Sequence, residues 1–370
     1  MERLFLERGI KMKILFFIHD MSNGAGTERV LSTLSNQLVK NSHTIDILSC
    51  QNGTVSHFDL SPSINLYSLE GEKTNNTILR RFNSILKFRK ICKKNKYDFI
   101  VCVDVTLALY LPFANVNSSK IIAWEHFNYF AVAGSKLQKI ARSLSSRFCD
   151  ALVVITKDDY KNYINNEKHI KKIKQIYNPI VINKGLNSPL REQIVLAVGR
   201  LEPQKDFHAL LDVWKGITNE MSDWRLKIVG DGSERGLLES RIRDEKIKNV
   251  YLQGYSNDIK DEYQKASILV CSSLFEGFGM VLIEAQENGL PIISFDCPVG
   301  PREIIENEVN GLLVESGDKQ GLASAIVELA KSPIKRDKFS ANALETVKRF
   351  DVNEIAKQWE KLFLELIDSK

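Results

Sequence analysis

Two glutamates with seven residues between them, Glu276 and Glu284, lie in the segment SSLFEGFGMVLIE that runs from Ser272 to Glu284. An apolar run of strand length, Ile268 to Cys271, leads into it. The first acid falls in a glycine-rich loop, and the second is expected about two turns into a helix. At about 1.5 Å of rise per residue the carboxylates stand roughly 10 Å apart, comparable to the span from a ribose to a sugar across a diphosphate. One carboxylate can hold ribose hydroxyls while the other meets a transferred sugar. The amides of Gly277, Phe278 and Gly279 open the helix between them. Such amides lack internal partners and favour phosphate or sugar oxygens. The bland alternative pairs Glu284 with a base one turn along, yet the helix expected over Met280 to Asn288 is largely apolar, and an acid on it needs a reason.

Two cations five residues apart, Arg200 and Lys205, straddle a turn that follows the apolar run Ile194 to Val198. They can converge on one pyrophosphate, Arg as a two-pronged fork and Lys as a point charge, or they can be two solvated cations. Near the start of the chain SNGAGTER, Ser22 to Arg29, follows a strand-like run and feeds a helix that begins near Thr27. Gly26 there suits close approach to a diphosphate or sugar, or a plain tight turn. The spacing after Gly24 and Gly26 puts Arg29 where a dinucleotide fingerprint needs Gly or Ala, and Asp46 lies inside a strand, so nicotinamide binding is a poor reading.

Positioning these groups requires parallel sheets. Strand-length apolar runs alternate with amphipathic helical segments along the whole chain. The first series is Lys13–Ile18, Thr44–Ser49, Phe99–Val103, Ile121–Trp124 and Ala151–Ile155, and the second is Ile194–Val198, Arg225–Val229, Val250–Gln253, Ile268–Cys271 and Pro291–Ser294. The fold class is α/β, two Rossmann-like doubly wound domains, with a hinge in Tyr177 to Pro189. Ligands collect at the carboxyl ends of such strands. The expected division is residues 1–183, 184–350, and 351–370 as a C-terminal helix that can cross back to the first. Met12 directly precedes the first strand, so residues 1–11 read as an extension.

Taken together, EGFGMVLIE, the GRLEPQK loop of Gly199 to Lys205, the VGDG loop of Val229 to Gly232 and SNGAGTER resemble the family-4 retaining glycosyltransferases, over essentially the whole chain from about Met12. The resemblance implies the GT-B fold, two domains facing across a cleft. It implies that Arg200 and Lys205 bind the donor diphosphate, that Glu284 binds ribose, that Glu276 sits beside the transferred sugar, and that Gly26 approaches the phosphate from the other domain. It also matches His126, in AWEHFN, to a histidine that contacts the sugar near the reacting bond; a satisfied structural histidine is the other reading. The first loop departs from the commoner GGAE form by reading GAGTE.

The reaction so implied moves a sugar, UDP-linked by expectation, to a hydroxyl of a lipid-linked or polysaccharide acceptor with retention, the departing phosphate deprotonating the acceptor; a covalent route through Glu276 is chemically conceivable. No D-x-D occurs in the sequence, so the common metal handle is missing and neither metal nor cofactor is expected. Another GT-B activity, an epimerase or phosphorylase, is the neighbouring alternative. A basic membrane- or nucleic-acid-binding module is the distant one.

Charge bears on that last reading. The net charge of +5 conceals +12 over residues 1–185 and −7 over the rest. Ile78 to Lys96 carries eight cations and no acid, with Ile, Leu and Phe interleaved, the composition of an amphipathic helix that rests on anionic lipid or of a solvated helix packed on its own domain. Its Phe82 and Phe88 suit a helix face better than base stacking, so nucleic acid is not expected. Six scattered cysteines without a C-x-x-C pair argue against a disulfide framework or thiolate zinc. With no secretory pattern at the start and no clean apolar span, the expectation is a cytoplasmic protein, peripheral on the inner face of the membrane.

Overall fold

The computed structural model describes residues 10–70, 77–114, 119–130, 135–182, 191–256 and 258–368. Most of the expected extension and residues 183–189 of the expected hinge lie outside them, as does the boundary at 183/184. The chain forms two compact units, residues 1–181 with 351–370, and residues 182–350.

The first unit is built on a parallel sheet ordered β3-β2-β1-β4-β5-β6-β7. Its strands are β1 (Lys13–Ile18), β2 (Thr44–Ser49), β3 (Asn65–Ser68), β4 (Phe99–Val103), β5 (Lys120–Glu125), β6 (Ala151–Val154) and β7 (Ile173–Gln175). The second holds β10-β9-β8-β11-β12-β13, with β8 (Ile194–Val198), β9 (Arg225–Val229), β10 (Val250–Gly254), β11 (Ile268–Cys271), β12 (Ile292–Phe295) and β13 (Gly311–Val314). Central strands such as β1, β4 and β11 are buried on both faces, which is why they read as unbroken apolar runs. The doubly wound α/β class is therefore what the chain adopts. Three strands lie outside the expected series. β3 and β7 are edge strands of polar, half-exposed residues, and β13 is a four-residue edge strand, so none carries an apolar run long enough to stand out.

The helices that bear on function are α1 (Gly26–Lys40), α2 (Thr77–Asn95), α3 (Lys136–Phe148), α4 (Phe207–Ile217), α5 (Ile259–Lys265), α6 (Met280–Glu287) and α7 (Val352–Asp368). On α2 the apolar residues divide. Phe88 is buried and stacks on Phe17 at 4.8 Å, whereas Phe82 and Leu86, one turn apart, stay 57% and 47% exposed. Lys87, Arg89, Lys90, Lys93, Lys94 and Lys96 are all exposed, and the side chains of Arg80 and Arg81 lie outside the described residues.

Although last in sequence, α7 belongs to the first unit. Trp359 meets Trp124 edge-on at 4.9 Å and Phe363 meets Phe99 at 4.6 Å, all four fully buried. Burying such side chains stabilises by about 1.5–3 kcal/mol each. Glu360 accepts from Asn41 Nδ2 at 2.7 Å and from His43 Nε2 at 3.1 Å, which gives the acid partners at the buried face. Lys172 and Lys174 close on Glu365 at 2.6 and 3.2 Å.

Candidate active site

In the second unit the strand order reverses between β8 and β11, so the crevice at their carboxyl ends is where an open α/β sheet takes ligands. Arg200 and Lys205 follow β8, and Ser272 to Gly279 follow β11. The two loops are stitched together. Leu274 N donates to Gln204 O (2.9 Å), Gln204 Nε2 to Phe275 O (2.8 Å), and Ser272 Oγ to Lys205 O (2.8 Å). Pro203 starts a single 3-10 turn, Pro203–Lys205, and Asp206 ends it in the left-handed region while its side chain caps α4 through Ala209 N at 3.1 Å. The backbone that carries Lys205 is thus fixed from both ends.

Lys205 Nζ donates to Glu276 Oε1 at 2.7 Å, and Ser273 Oγ donates to the same oxygen at 2.6 Å. Burial pulls the Lys205 ammonium down, but the Glu276 carboxylate more than offsets this and holds it above the usual lysine value, so it stays charged. The Arg200 side chain, by contrast, is exposed and makes no hydrogen bond among the described residues, while its carbonyl accepts from Glu202 N at 2.8 Å. The third wall is the VGDG loop. Leu201 N donates to Asp231 O, and a Cβ on Gly230 would lie 1.9 Å from Gly199 O, one on Gly232 2.4 Å from Leu201 O. Only glycine permits that back-to-back approach.

Glu284 is the fifth residue of α6, just past one turn and not two, because the helix begins only at Met280 behind Gly279, its left-handed N-cap. It is buried, and Oε2 accepts from Tyr263 Oη of α5 at 2.9 Å. Arg191 ties down the helices that carry this pair, donating to the carbonyls of Tyr263, Ala266, Asn288 and Gly289 at 2.7–3.2 Å. The Phe278 ring packs edge-on against Phe350 at 5.8 Å, so its side chain serves the core. Gly277 is half-buried. Gly300, at φ +104°, lies against this loop, where a Cβ would come within 2.5 Å of Phe278 O.

Gly26 and His126 belong to the first unit, at the carboxyl edge of its sheet. Gly26 is the exposed first residue of α1; Ala25 provides no side-chain cap, and the Glu28 carboxylate turns back onto the backbone amides of Ala25 and Glu28. At Gly24 an added Cβ would meet the exposed His57 ring at 2.9 Å. His126, at the end of β5, packs at a tilt on Trp124 at 4.4 Å, and its buried Nε2 has no hydrogen-bond partner among the described residues. Burial pushes its pKa down to about 3, so the imidazole is neutral. Beside it Glu125 accepts from Tyr163 Oη at 2.7 Å and from Phe127 N at 3.1 Å. Burial first, and Asp104 second, raise the Glu125 carboxyl to about 7.

The second unit therefore brings Arg200, Lys205, Glu276 and Glu284 onto adjoining loops and helices, with Lys205 and Glu276 in contact. Sequence reasoning passed over Ser273, Tyr263 and Glu28. Ser273 lay inside the quoted segment; Tyr263 is a lone aromatic in the polar stretch IKDEYQK, fully buried in the fold. Glu28 is buried in the first turn of α1 with Oε2 unpartnered among the described residues, and burial raises its pKa. Asp46 is accounted for structurally by Tyr97 Oη at 2.7 Å and Asn65 Nδ2 at 2.8 Å. All six cysteines are free thiols.

A doubly wound unit that gathers cations and carboxylates at its switch point is the architecture of a nucleotide-handling enzyme. Family models place the chain more narrowly: Glycosyltransferase Family 4 matches residues 24–184, and Glycosyl transferases group 1 matches residues 181–346. A GalNAc-alpha-(1->4)-GalNAc-alpha-(1->3)-diNAcBac-PP-undecaprenol alpha-1,4-N-acetyl-D-galactosaminyltransferase of Campylobacter jejuni is 30% identical over 96% of this chain and 99% of its own. The amylovoran biosynthesis glycosyltransferase AmsD of Erwinia amylovora is 29% identical over 94% of this chain and 98% of its own. Among solved structures, Anabaena HepE in complex with UDP superposes with a TM-score of 0.80 at 20% identity, over 96% of this chain and 100% of that one. The chain belongs to glycosyltransferase family 4, and its fold is GT-B.

Proposed function

We propose that this glycosyltransferase moves a hexosyl group from a UDP-sugar to a hydroxyl of a lipid-linked or polysaccharide acceptor, with retention and without a metal. The observation that carries the reading is the placement of Arg200, Lys205, Glu276 and Glu284 on adjoining loops and helices at the β8/β11 switch point, with Lys205 and Glu276 in contact. Arg200 and Lys205 take the diphosphate, and Glu284, held by Tyr263, takes the ribose. Glu276 and the amides of Gly277 to Gly279 address the sugar. The two cations neutralise the leaving diphosphate, which is the work a metal does elsewhere. Neutral His126, whose buried Nε2 has no hydrogen-bond partner among the described residues, is left free to bond a sugar hydroxyl. The relatives named above support a UDP-sugar donor and an acceptor of the undecaprenyl diphosphate or exopolysaccharide type.

The basic face of α2, with Phe82 and Leu86 exposed among its lysines, brings the enzyme to the anionic inner face of the membrane, where a lipid-linked acceptor resides. Among the described residues no helix is long and apolar enough to cross a membrane.

Thermal denaturation in the presence of UDP-, GDP- and ADP-sugars tests the donor assignment. A ligand at 100 times its dissociation constant stabilises by about 2.7 kcal/mol. A shift with UDP-sugars alone is expected; stabilisation by none of the three, or release of nucleotide with no transferred sugar, refutes it.

A further inference from the structure

The proposed function sends Lys205 and Glu276 to different parts of the donor, the diphosphate and the sugar, yet the two are bonded to each other. Nζ to Oε1 is 2.7 Å, in a part-buried setting where both side chains are at most 15% exposed. We propose, resting on that function, that Glu276 competes with the donor's diphosphate for Lys205, so that donor binding frees the carboxylate as the sugar arrives beside it.

The geometry restricts the exchange to one side chain. The Lys205 carbonyl is held by Ser272 Oγ and the neighbouring Gln204 is bonded to the β11 loop at two points, so the backbone of the turn stays where it is. The lysine stem lies across Gly199, where a Cβ would stand 3.0 Å from its Cε; the missing side chain leaves the ammonium room to swing. An ammonium on four methylenes redirects its three donors at little cost, which a guanidinium fork would not. Exposed Arg200 attracts the diphosphate to the same turn, and a group with two or more negative charges outweighs a single carboxylate for a shared cation. Glu276 does not swing loose when the lysine departs, because Ser273 Oγ still donates to Oε1 at 2.6 Å. Its other oxygen makes no hydrogen bond among the described residues and is the one presented to the sugar.

The test is the affinity for UDP, by calorimetry, of the wild type, Glu276→Gln, Glu276→Asp, Lys205→Met and the double variant Lys205→Met/Glu276→Gln. Competition predicts that Glu276→Gln binds UDP about five- to tenfold tighter than wild type, since a neutral amide holds Lys205 about 1 kcal/mol less firmly than a carboxylate. Glu276→Asp keeps the charge but withdraws it by one methylene, and should also tighten binding, by less. The gain from Glu276→Gln should be larger with Lys205 present than in the Lys205→Met background. Simple repulsion between Glu276 and phosphate predicts the reverse order and no gain from Glu276→Asp. Either of those results, or a Glu276→Gln enzyme that binds UDP no tighter than wild type, overturns the inference while leaving the donor site standing. A wild type that binds no nucleoside diphosphate removes the donor site and the inference together.

Discussion

Glu284→Gln is the substitution that most directly examines the donor assignment. Glu284 is 7% exposed, and its Oε2 accepts from Tyr263 Oη at 2.9 Å. The amide is nearly the same size and its oxygen can still accept that bond, so no cavity opens and the fold should be retained. What disappears is the charge on a group assigned to two ribose hydroxyls. A hydrogen bond to a charged partner is worth about 1.5–3 kcal/mol, so affinity for UDP should fall about ten- to a hundredfold. The ribose is bound alike in ground and transition states, so UDP and UDP-sugar affinities should fall together while kcat changes little. Calorimetry with both ligands, near-UV circular dichroism to check the fold, and turnover at saturating donor measure all three. Unchanged UDP affinity in a folded Glu284→Gln enzyme refutes the role, as does a loss confined to kcat. Tyr263→Phe should reproduce a smaller loss of affinity and destabilise the unit by about 1–3 kcal/mol, because it leaves a buried acceptor without its donor.

Arg200→Ala should weaken nucleoside diphosphate binding at least about tenfold yet shift stability by less than about 0.5 kcal/mol, as expected for an exposed side chain without hydrogen bonds; equal affinity in mutant and wild type sinks the assignment. Turnover should survive excess EDTA, and activity lost to chelation and restored by magnesium or manganese would show that Arg200 and Lys205 do not suffice. Binding to anionic vesicles should fall as salt rises, since the Debye length is about 10 Å at 0.1 M, and equal partitioning onto neutral vesicles removes the electrostatic role of α2. Glu125 has a folded pKa raised to about 7, so the folded state binds the extra proton. Its contribution to stability is therefore full below the ordinary glutamate range and is lost as pH rises through about 7. Chemical denaturation from pH 5 to 8 should show a shallower decline in Glu125→Gln, and parallel slopes in the two proteins would reject the raised carboxyl.

How much of this was written in the sequence follows from burial. Strands such as KILFFI and ILVC are enclosed on both faces, and their composition announces it. The edge strands NLYS and IKQ touch water along one side and resemble loops. Motif spacing found the loops after β8 and β11, because glycine, proline and charge at strand ends are local signals. Contact between those loops is not local. Lys205 and Glu276 are 71 positions apart, and nothing in either motif says that the two side chains meet. The depth of Glu284 in its helix was misjudged for a related reason: Gly279 delays the helix start, and a left-handed glycine looks like any other in a glycine-rich stretch. On α2 composition was right about amphipathicity but could not say that Phe88 turns inward while Phe82 stays out.

The placement of α7 governs the order in which this molecule can be made. Residues 182–350 form a contiguous unit that can close as soon as its last strand and helix leave the ribosome. The first unit, begun earlier, must wait for residues 351–370, because α7 supplies Trp359 to Trp124, Phe363 to Phe99 and Glu360 to the His43 imidazole. The half that starts first thus finishes after the other, and its aromatic face stays uncovered until residues 351–370 emerge. A premature stop near residue 350 would spare the later half while leaving the earlier one permanently unfinished, an adhesive surface for chaperones or for other incomplete copies.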